Sequence, residues 1–179
     1  MDFAMVLAEI VRFLSERGIR YSLAGAVALH AHGISRATQD LDIAVDESGR
    51  AALLSHLAAL GYTKLHESEG FSNHHHPEAH WGRLDFIYLE GKTADLFFAG
   101  AKPAEVFHGV TLPVPRPEHL AAMKAQAIKE TPSRTARDLA DVAALLRLPG
   151  IDEAEMRRYF DRHGLAARFD ELVRQRGPT

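Results

Sequence analysis

Residues 21–45 read YSLAGAVALHAHGISRATQDLDIAV, and this stretch decides the fold. Arg20 to Ala24 has the composition of a short strand, Gly25 breaks it, and Ala26 to His32 reads as a brief helix ended by Gly33, a natural left-handed cap. Leu41 to Val45 is the next strand. Asp40 and Asp42 stand where that strand begins, so their side chains share one face with Cα atoms about 6 to 7 Å apart. Two carboxylates so placed repel each other. A divalent cation relieves that repulsion, and oxygen-only ligands favour magnesium or manganese over zinc. A solvated pair of acids at a strand edge has the same pattern, so the pair alone does not fix the chemistry.

Upstream, Phe3, Val6, Leu7, Ile10, Phe13 and Leu14 recur at helical spacing and Gly18 supplies a stop, which predicts a helix over 2–17. Downstream, Ala51 to Leu60 is apolar at helical spacing, and Arg83 to Leu89 alternates and is rich in Phe, Ile and Tyr, which predicts a strand. Thr93 to Phe98 and Val110 to Val114 are expected to be further strands. From Pro117, which fits a first helical position, the chain turns helical. Ser133 fits an N-cap, and helices are expected over 134–147, 152–163 and 165–175. The expected organisation is therefore a mixed core over 1–115 and a helical region over 116–179 packed on it and closing one side of the cleft. The turn Leu148-Pro149-Gly150 is the best candidate for a subdomain edge.

A chain of 179 residues with 46% apolar and 25% charged residues has room for a substantial core without disulfides or a structural metal. It holds no cysteine, which excludes a thiol nucleophile, a Cys-ligated zinc and an iron–sulfur cluster. The longest apolar run, Leu23 to Leu29, is far short of the roughly 20 residues of a membrane helix, and acidic and basic residues interrupt the start. A cytoplasmic protein without membrane contact is expected. The net charge of −3 implies no general grip on nucleic acid, though a local basic site is compatible with it.

A third acid, Asp85, lies between Leu84 and Phe86, where a carboxylate is costly unless it has a partner. Three carboxylates on neighbouring strands are the usual ligand set of two-metal phosphoryl transfer, whereas pairing with Arg83 or exposure to water would explain Asp85 structurally. Strand, Gly25, short helix is in turn the arrangement that lets backbone N–H groups approach a phosphate.

Taken together, Tyr21 to Gly33 and Arg36-Ala-Thr38-Gln-Asp40-Leu-Asp42-Ile-Ala-Val45 resemble the signature of the nucleotidyltransferase superfamily. Asp85 in Leu-Asp-Phe is similar to the third carboxylate of that family. Pro117-Glu118-His-Leu120-x-x-Met-Lys124, followed by Arg134-x-x-Arg137-Asp138-x-x-Asp141, resembles the helical motifs of its AbiEii-type abortive-infection toxins. The resemblance implies an α/β (α+β) nucleotidyltransferase fold, with a small mixed sheet flanked by helices and a helical C-terminal region. It implies metal-dependent transfer of a nucleotidyl group from a nucleoside triphosphate (NTP) to a hydroxyl of RNA, a protein or a small molecule, with an antitoxin-like protein as a partner. Asp40, Asp42 and Asp85 would be catalytic and would hold Mg2+ or Mn2+. Gly25, Ala26, Arg36, Thr38, Lys124 and Asp138 would bind the nucleotide. Two departures stand out: Ala26 replaces the usual Gly or Ser and removes a hydroxyl contact to phosphate, and Arg137 stands where lysine is commoner. A nucleotide-binding or protein-interaction module with weakened turnover is the alternative that Ala26 permits.

Arg134, Asp138 and Asp141 are also spaced as a salt-bridged solvent face would be. His32 is expected to pack at a helix end. His74, His75, His76 and His80 form a polar segment expected to be a surface hairpin near the site mouth. A zinc or nickel hydrolase built on His74, His76 and His80 would require those three to converge. The last thirty residues balance six arginines against six acids, the pattern of solvated helices rather than of a nucleic-acid arm.

Overall fold

The acidic strand β2 (Asp40–Asp46) is second in a five-stranded mixed sheet. It pairs antiparallel with β1 (Tyr21–Leu23) and parallel with β5 (Arg83–Leu89). The hairpin of β3 (Thr63–Glu67) and β4 (Phe71–His75) completes the order β1-β2-β5-β4-β3. A parallel pair needs a long crossover, and residues 47–82 supply it. Strand alternation sorts the side chains: Leu41, Ile43 and Val45 with Leu84, Phe86 and Tyr88 are buried on one face, while Asp40 and Asp42 with Arg83 and Asp85 lie on the other.

The computed structural model describes residues 1–107 and 109–177, which divide into two units, Met1–Pro115 and Arg116–Thr179. In the first unit, α1 (Phe3–Glu16) is capped by Asp2, whose carboxylate accepts from the Met5 N–H at 3.1 Å. It buries Val6, Leu7, Ile10, Phe13 and Leu14, and the Phe13 ring stacks at 3.9 Å on His56 of α3 (Arg50–Ala59). Each large apolar side chain so buried contributes about 1.5 to 3 kcal/mol. Helix α2 (Gly25–Ala31) follows β1 directly and ends at Gly33, whose φ of 80° is the left-handed cap expected there. Strands β6 (Lys102–Phe107) and β7 (Val110–Val114) form a separate antiparallel pair, tied to β1 where the Ser22 hydroxyl donates to the Pro113 carbonyl at 2.9 Å.

Several expectations are corrected. Residues 93–98, expected as a strand, lie in helix α4 (Gly91–Gly100): Ala94 and Phe97, three apart, are buried while Leu96 is 67% exposed, which is a helical rather than an alternating pattern. The polar segment expected as a surface hairpin holds β4, in which Ser72 and His74 are buried. Their polar atoms satisfy one another: His74 Nε2 lies 2.9 Å from Ser72 Oγ, which lies 2.7 Å from the Tyr88 hydroxyl.

The second unit is helical: α5 (Pro117–Glu130), α6 (Thr135–Leu145), α7 (Glu153–Arg162) and α8 (Ala166–Arg176). Pro117 opens α5 as expected. Ser133 does not cap α6, because it lies inside a 3₁₀ turn, Pro132–Arg134, that leads into the helix. The core of this unit gathers Leu120, Ile128, Val142, Leu145, Met156, Phe160 and Phe169. The turn at 148–150, expected as a subdomain edge, lies inside this unit and joins two helices of it, the division falling at 115/116 instead. Of the expected span 116–179, Pro178 and Thr179 are outside the described residues. Among the described residues no helix is long and apolar enough to cross a membrane.

Candidate active site

Asp42 and Asp85 are register partners across the parallel pair β2–β5, so their side chains leave adjacent strands on the same face. Asp85 is 6% exposed. Its Oδ1 accepts from the Asn73 amide at 2.6 Å, across the antiparallel pair β4–β5. Asn73 is a site residue that sequence reasoning passed over, since its role depends on a strand pairing that hydropathy does not reveal. Asp40 stands beside Arg83 in the same ladder, and the Thr38 hydroxyl donates to its carboxylate and, at 3.1 Å, to its backbone carbonyl.

Gly25 meets this carboxylate face. Its φ is 55°, and a Cβ added there would lie 2.8 Å from Asp42 Cβ and still closer to the Asp42 carboxylate. Both facts require glycine: the left-handed backbone and the absence of a side chain let the β1–α2 turn close on Asp42. The Ala24 N–H donates to the Asp42 carbonyl at 3.0 Å and fixes that turn to β2. Helix α2 has no side-chain cap at its start.

Of the other expected nucleotide contacts in this unit, Ala26 is buried, Arg36 is half-buried and engaged within the protein, and Thr38 positions Asp40. His32 packs at the helix end as expected, with Nε2 2.9 Å from the Pro115 carbonyl. The histidines do not converge. His74 faces Ser72, His76 lies between the Leu60 carbonyl at 3.0 Å and the Glu78 N–H at 3.1 Å, and His80 is exposed beside Glu78. A hydrolase on His74, His76 and His80 therefore has no geometric basis.

Among the described residues no three His, Asp or Glu side chains come together closely enough to hold an ion as they stand. The donor set on the acidic face nonetheless suits a hard divalent cation. Asp40, Asp42 and Asp85 offer only oxygen, and the missing side chain at Gly25 leaves room for the Asp42 carboxylate beneath the β1–α2 turn.

In the helical unit, Lys124 does not sit on a solvated face. Its Nζ lies 2.8 Å from Asp138 Oδ1 and 2.7 Å from Asp141 Oδ2, and all three residues are buried. Asp138 Oδ2 is buried without a hydrogen bond, with Arg134 Nε 4.0 Å away. Two acids share one buried lysine, and Arg134 stands beside Asp138. Asp141, named in the sequence only as part of a motif, is an equal member of this group.

A family model described as "Nucleotidyl transferase AbiEii toxin, Type IV TA system" matches residues 86–177, just over half of the chain and all but the last residues of the helical unit. No curated protein matches the sequence significantly. Among solved structures, the antibiotic-resistance factor ANT(2'')-Ia is similar with a TM-score of 0.66 at 15% identity, covering 98% of each chain. The lincosamide antibiotic adenylyltransferase LnuA, solved with lincomycin bound, gives 0.57 at 15% identity, covering 80% of this chain and 96% of its own. An antigenic nucleotidyltransferase-like protein from Paracoccidioides brasiliensis gives 0.57 at 12%, covering 96% and 90%. These likenesses establish the nucleotidyltransferase fold.

Proposed function

The chain belongs to the AbiEii nucleotidyltransferase family, and on that premise we propose that it moves a nucleotidyl group from an NTP to an acceptor hydroxyl. The observation that carries the reading is the meeting of Gly25 with Asp42 beside Asp85, because it brings two carboxylates on adjacent strands against a side-chain-free turn at a helix start. In the reaction the acceptor oxygen attacks the α-phosphorus, the bond to the β-phosphate oxygen breaks, and pyrophosphate leaves with that electron pair. Asp85 takes the acceptor proton, held in place by Asn73. The backbone N–H groups of Gly25 and Ala26 receive the triphosphate, with Arg36 as a supporting charge. Thr38 holds the Asp40 carboxylate through its hydroxyl.

Asp40, Asp42 and Asp85 would hold magnesium or manganese, which when bound neutralises triphosphate charge and makes the acceptor hydroxyl easier to deprotonate. In the helical unit, Lys124 holds Asp138 in place, and Asp138 Oδ2 is an acceptor that a nucleotide hydroxyl or amine would satisfy. ANT(2'')-Ia has been solved with an adenylylated tobramycin and LnuA with lincomycin, so small molecules are one acceptor class of this fold. The family description supports a toxin-type role with an antitoxin-like protein as partner.

Incubating the protein with each α-labelled NTP, magnesium and a cell extract tests the reading. Label is expected in one acceptor fraction, with pyrophosphate released and no transfer by Asp42→Asn. Nucleotide binding with no transfer under any condition would instead make the chain a binding module.

A further inference from the structure

We propose that Ser72, together with His74 and Tyr88, is a positioning residue for the transfer reaction. The hydrogen-bonded chain of these three side chains, on the buried face of the sheet, sets strand β4 so that Asn73, on the other face, meets Asp85. The inference rests on the transfer reading above and adds to it residues that touch no substrate. Asn73 lies between Ser72 and His74, so strand alternation turns its side chain to the acidic face while its two neighbours turn to the buried one. Asn73 and Asp85 are register partners, and the Asn73 amide donates to Asp85 Oδ1 at 2.6 Å. That bond fixes how the carboxylate proposed to take the acceptor proton is turned. It exists only while β4 keeps its register on β5.

The buried face holds that register. A one-residue slip would turn Asn73 into the core, but a two-residue slip keeps every side chain on its face, so hydropathy does not oppose it. Ser72 does. Its register partner is Phe86, yet its Oγ reaches along the strand to the Tyr88 hydroxyl at 2.7 Å and to His74 Nε2 at 2.9 Å. A slip of two residues, about 6 to 7 Å, would part Ser72 from Tyr88 and leave the tyrosine hydroxyl buried without this partner. A satisfied polar chain in an otherwise apolar face therefore selects one pairing. The ends of the chain are held in turn. The His74 ring packs edge-on to Phe86 at 5.8 Å. The Arg50 guanidinium lies 4.5 Å from the Tyr88 ring and donates to the Ser68 and Glu69 carbonyls of the β3–β4 turn, each at 2.7 Å. Arg50 thus fastens the turn of the hairpin, and the hydroxyl chain fastens its middle. Ser72 and His74 are 0% and 2% exposed, so this serine–histidine pair is out of reach of any substrate and acts on the reaction through where it puts Asn73.

Two readouts test this together: the Asn73 side-chain amide resonance in two-dimensional NMR, assigned by its loss in Asn73→Ser, and the kinetics of transfer. The wild-type amide is expected to be shifted from the solvated position and slow to exchange. Ser72→Ala should return it to the position of a solvated asparagine and lower kcat about tenfold, with KM for the NTP within about twofold. Ser72→Thr, which keeps the hydroxyl, should retain most of both. Asn73→Ala should lower kcat about as far, and the double variant no further, because both changes remove one contact. Tyr88→Phe keeps the ring and removes only the hydroxyl; it should act in the same direction, and it reads the chain if Ser72→Ala does not fold. Ile10→Ala, a buried change in α1, should lower stability and leave both readouts where they are. An Asn73 resonance unmoved by Ser72→Ala and Tyr88→Phe overturns the inference, as does a double variant whose loss is the product of the two single losses. If wild type transfers to no acceptor while the Asn73 resonance still follows Ser72 and Tyr88, the positioning of Asn73 stands and the transfer reading falls.

Discussion

Replacing Gly25 by alanine perturbs two separable things. The first is backbone conformation: at φ 55° an L side chain costs about 1 to 2 kcal/mol. The second is space. The new methyl would lie 2.8 Å from Asp42 Cβ, an atom fixed to the backbone of an interior strand that cannot swing aside, so overpacking adds about 1 to 3 kcal/mol. Gly25→Ala is therefore expected to cost about 2 to 5 kcal/mol, a large part of the roughly 5 to 15 kcal/mol by which a domain is stable. Removing the Asp42 side chain isolates the second part: in an Asp42→Gly background the same change should cost only about 1 to 2 kcal/mol, a coupling of about 1 to 3 kcal/mol. Urea unfolding followed by tryptophan fluorescence reads this cleanly, because the single tryptophan, Trp81, lies in the first unit, edge-on to Tyr62 at 6.1 Å. Transfer by Gly25→Ala should fall about 100-fold, since displacing Asp42 by even an ångström spoils its alignment. A loss below about 0.5 kcal/mol, or the same loss in both backgrounds, would refute the close approach as the reason for glycine.

Asp42→Asn removes a carboxylate beside its register partner Asp85 and should lower transfer about 100-fold or more, read as label entering the acceptor fraction; transfer within about twofold of wild type would remove Asp42 from the reaction. Lys124→Met leaves Asp138 and Asp141 buried without their shared cation, and should cost about 3 to 5 kcal/mol in urea unfolding followed by circular dichroism, against under about 1 kcal/mol if the lysine were only solvated. Burial pushes the His74 imidazole below its ordinary value, so the folded first unit binds that proton less readily than the unfolded chain. Its stability should be flat above about pH 6.5 and fall as pH drops below that, by up to about 1.4 kcal/mol per pH unit, with a shallower fall in His74→Gln; urea midpoints at three pH values check both.

What the sequence made legible follows from periodicity and context. Helix α1, strand β5 and helices α7 and α8 announce themselves by spacing, and the acidic strand by its position after the Gly25 turn. The acid face was legible too, because Asp85 in an apolar strand demands a partner. The partner was not: Asn73 reaches Asp85 through a pairing of β4 and β5, and β4 buries Ser72 and His74 through a hydroxyl chain where an apolar pattern was looked for. Strand β3 hides for another reason, since every residue from Thr63 to His66 is exposed and an edge strand of that kind has no buried stripe to read. Lys124 lay on the right helix, but its partners lie a turn and a helix away, so the sequence showed a motif and not a buried ion group.

Ala26 is the departure from the family pattern that most invites a functional reading, and its place in the fold changes what that departure means. The residue is 1% exposed, in the first turn of α2, so its side chain is directed into the protein. A serine hydroxyl there would have to find an internal partner, and a buried hydroxyl without one costs about 1 to 3 kcal/mol. Helix α2 has no side-chain cap, so the groups proposed to receive the triphosphate are backbone N–H donors of its first turn, which alanine and serine supply equally. Ala26→Ser is therefore expected to lower stability by about 1 kcal/mol or more and to leave kcat/KM for the NTP within about twofold. A tenfold rise in kcat/KM would mean that the hydroxyl does reach the phosphates, and that this chain works below the capacity of its own fold.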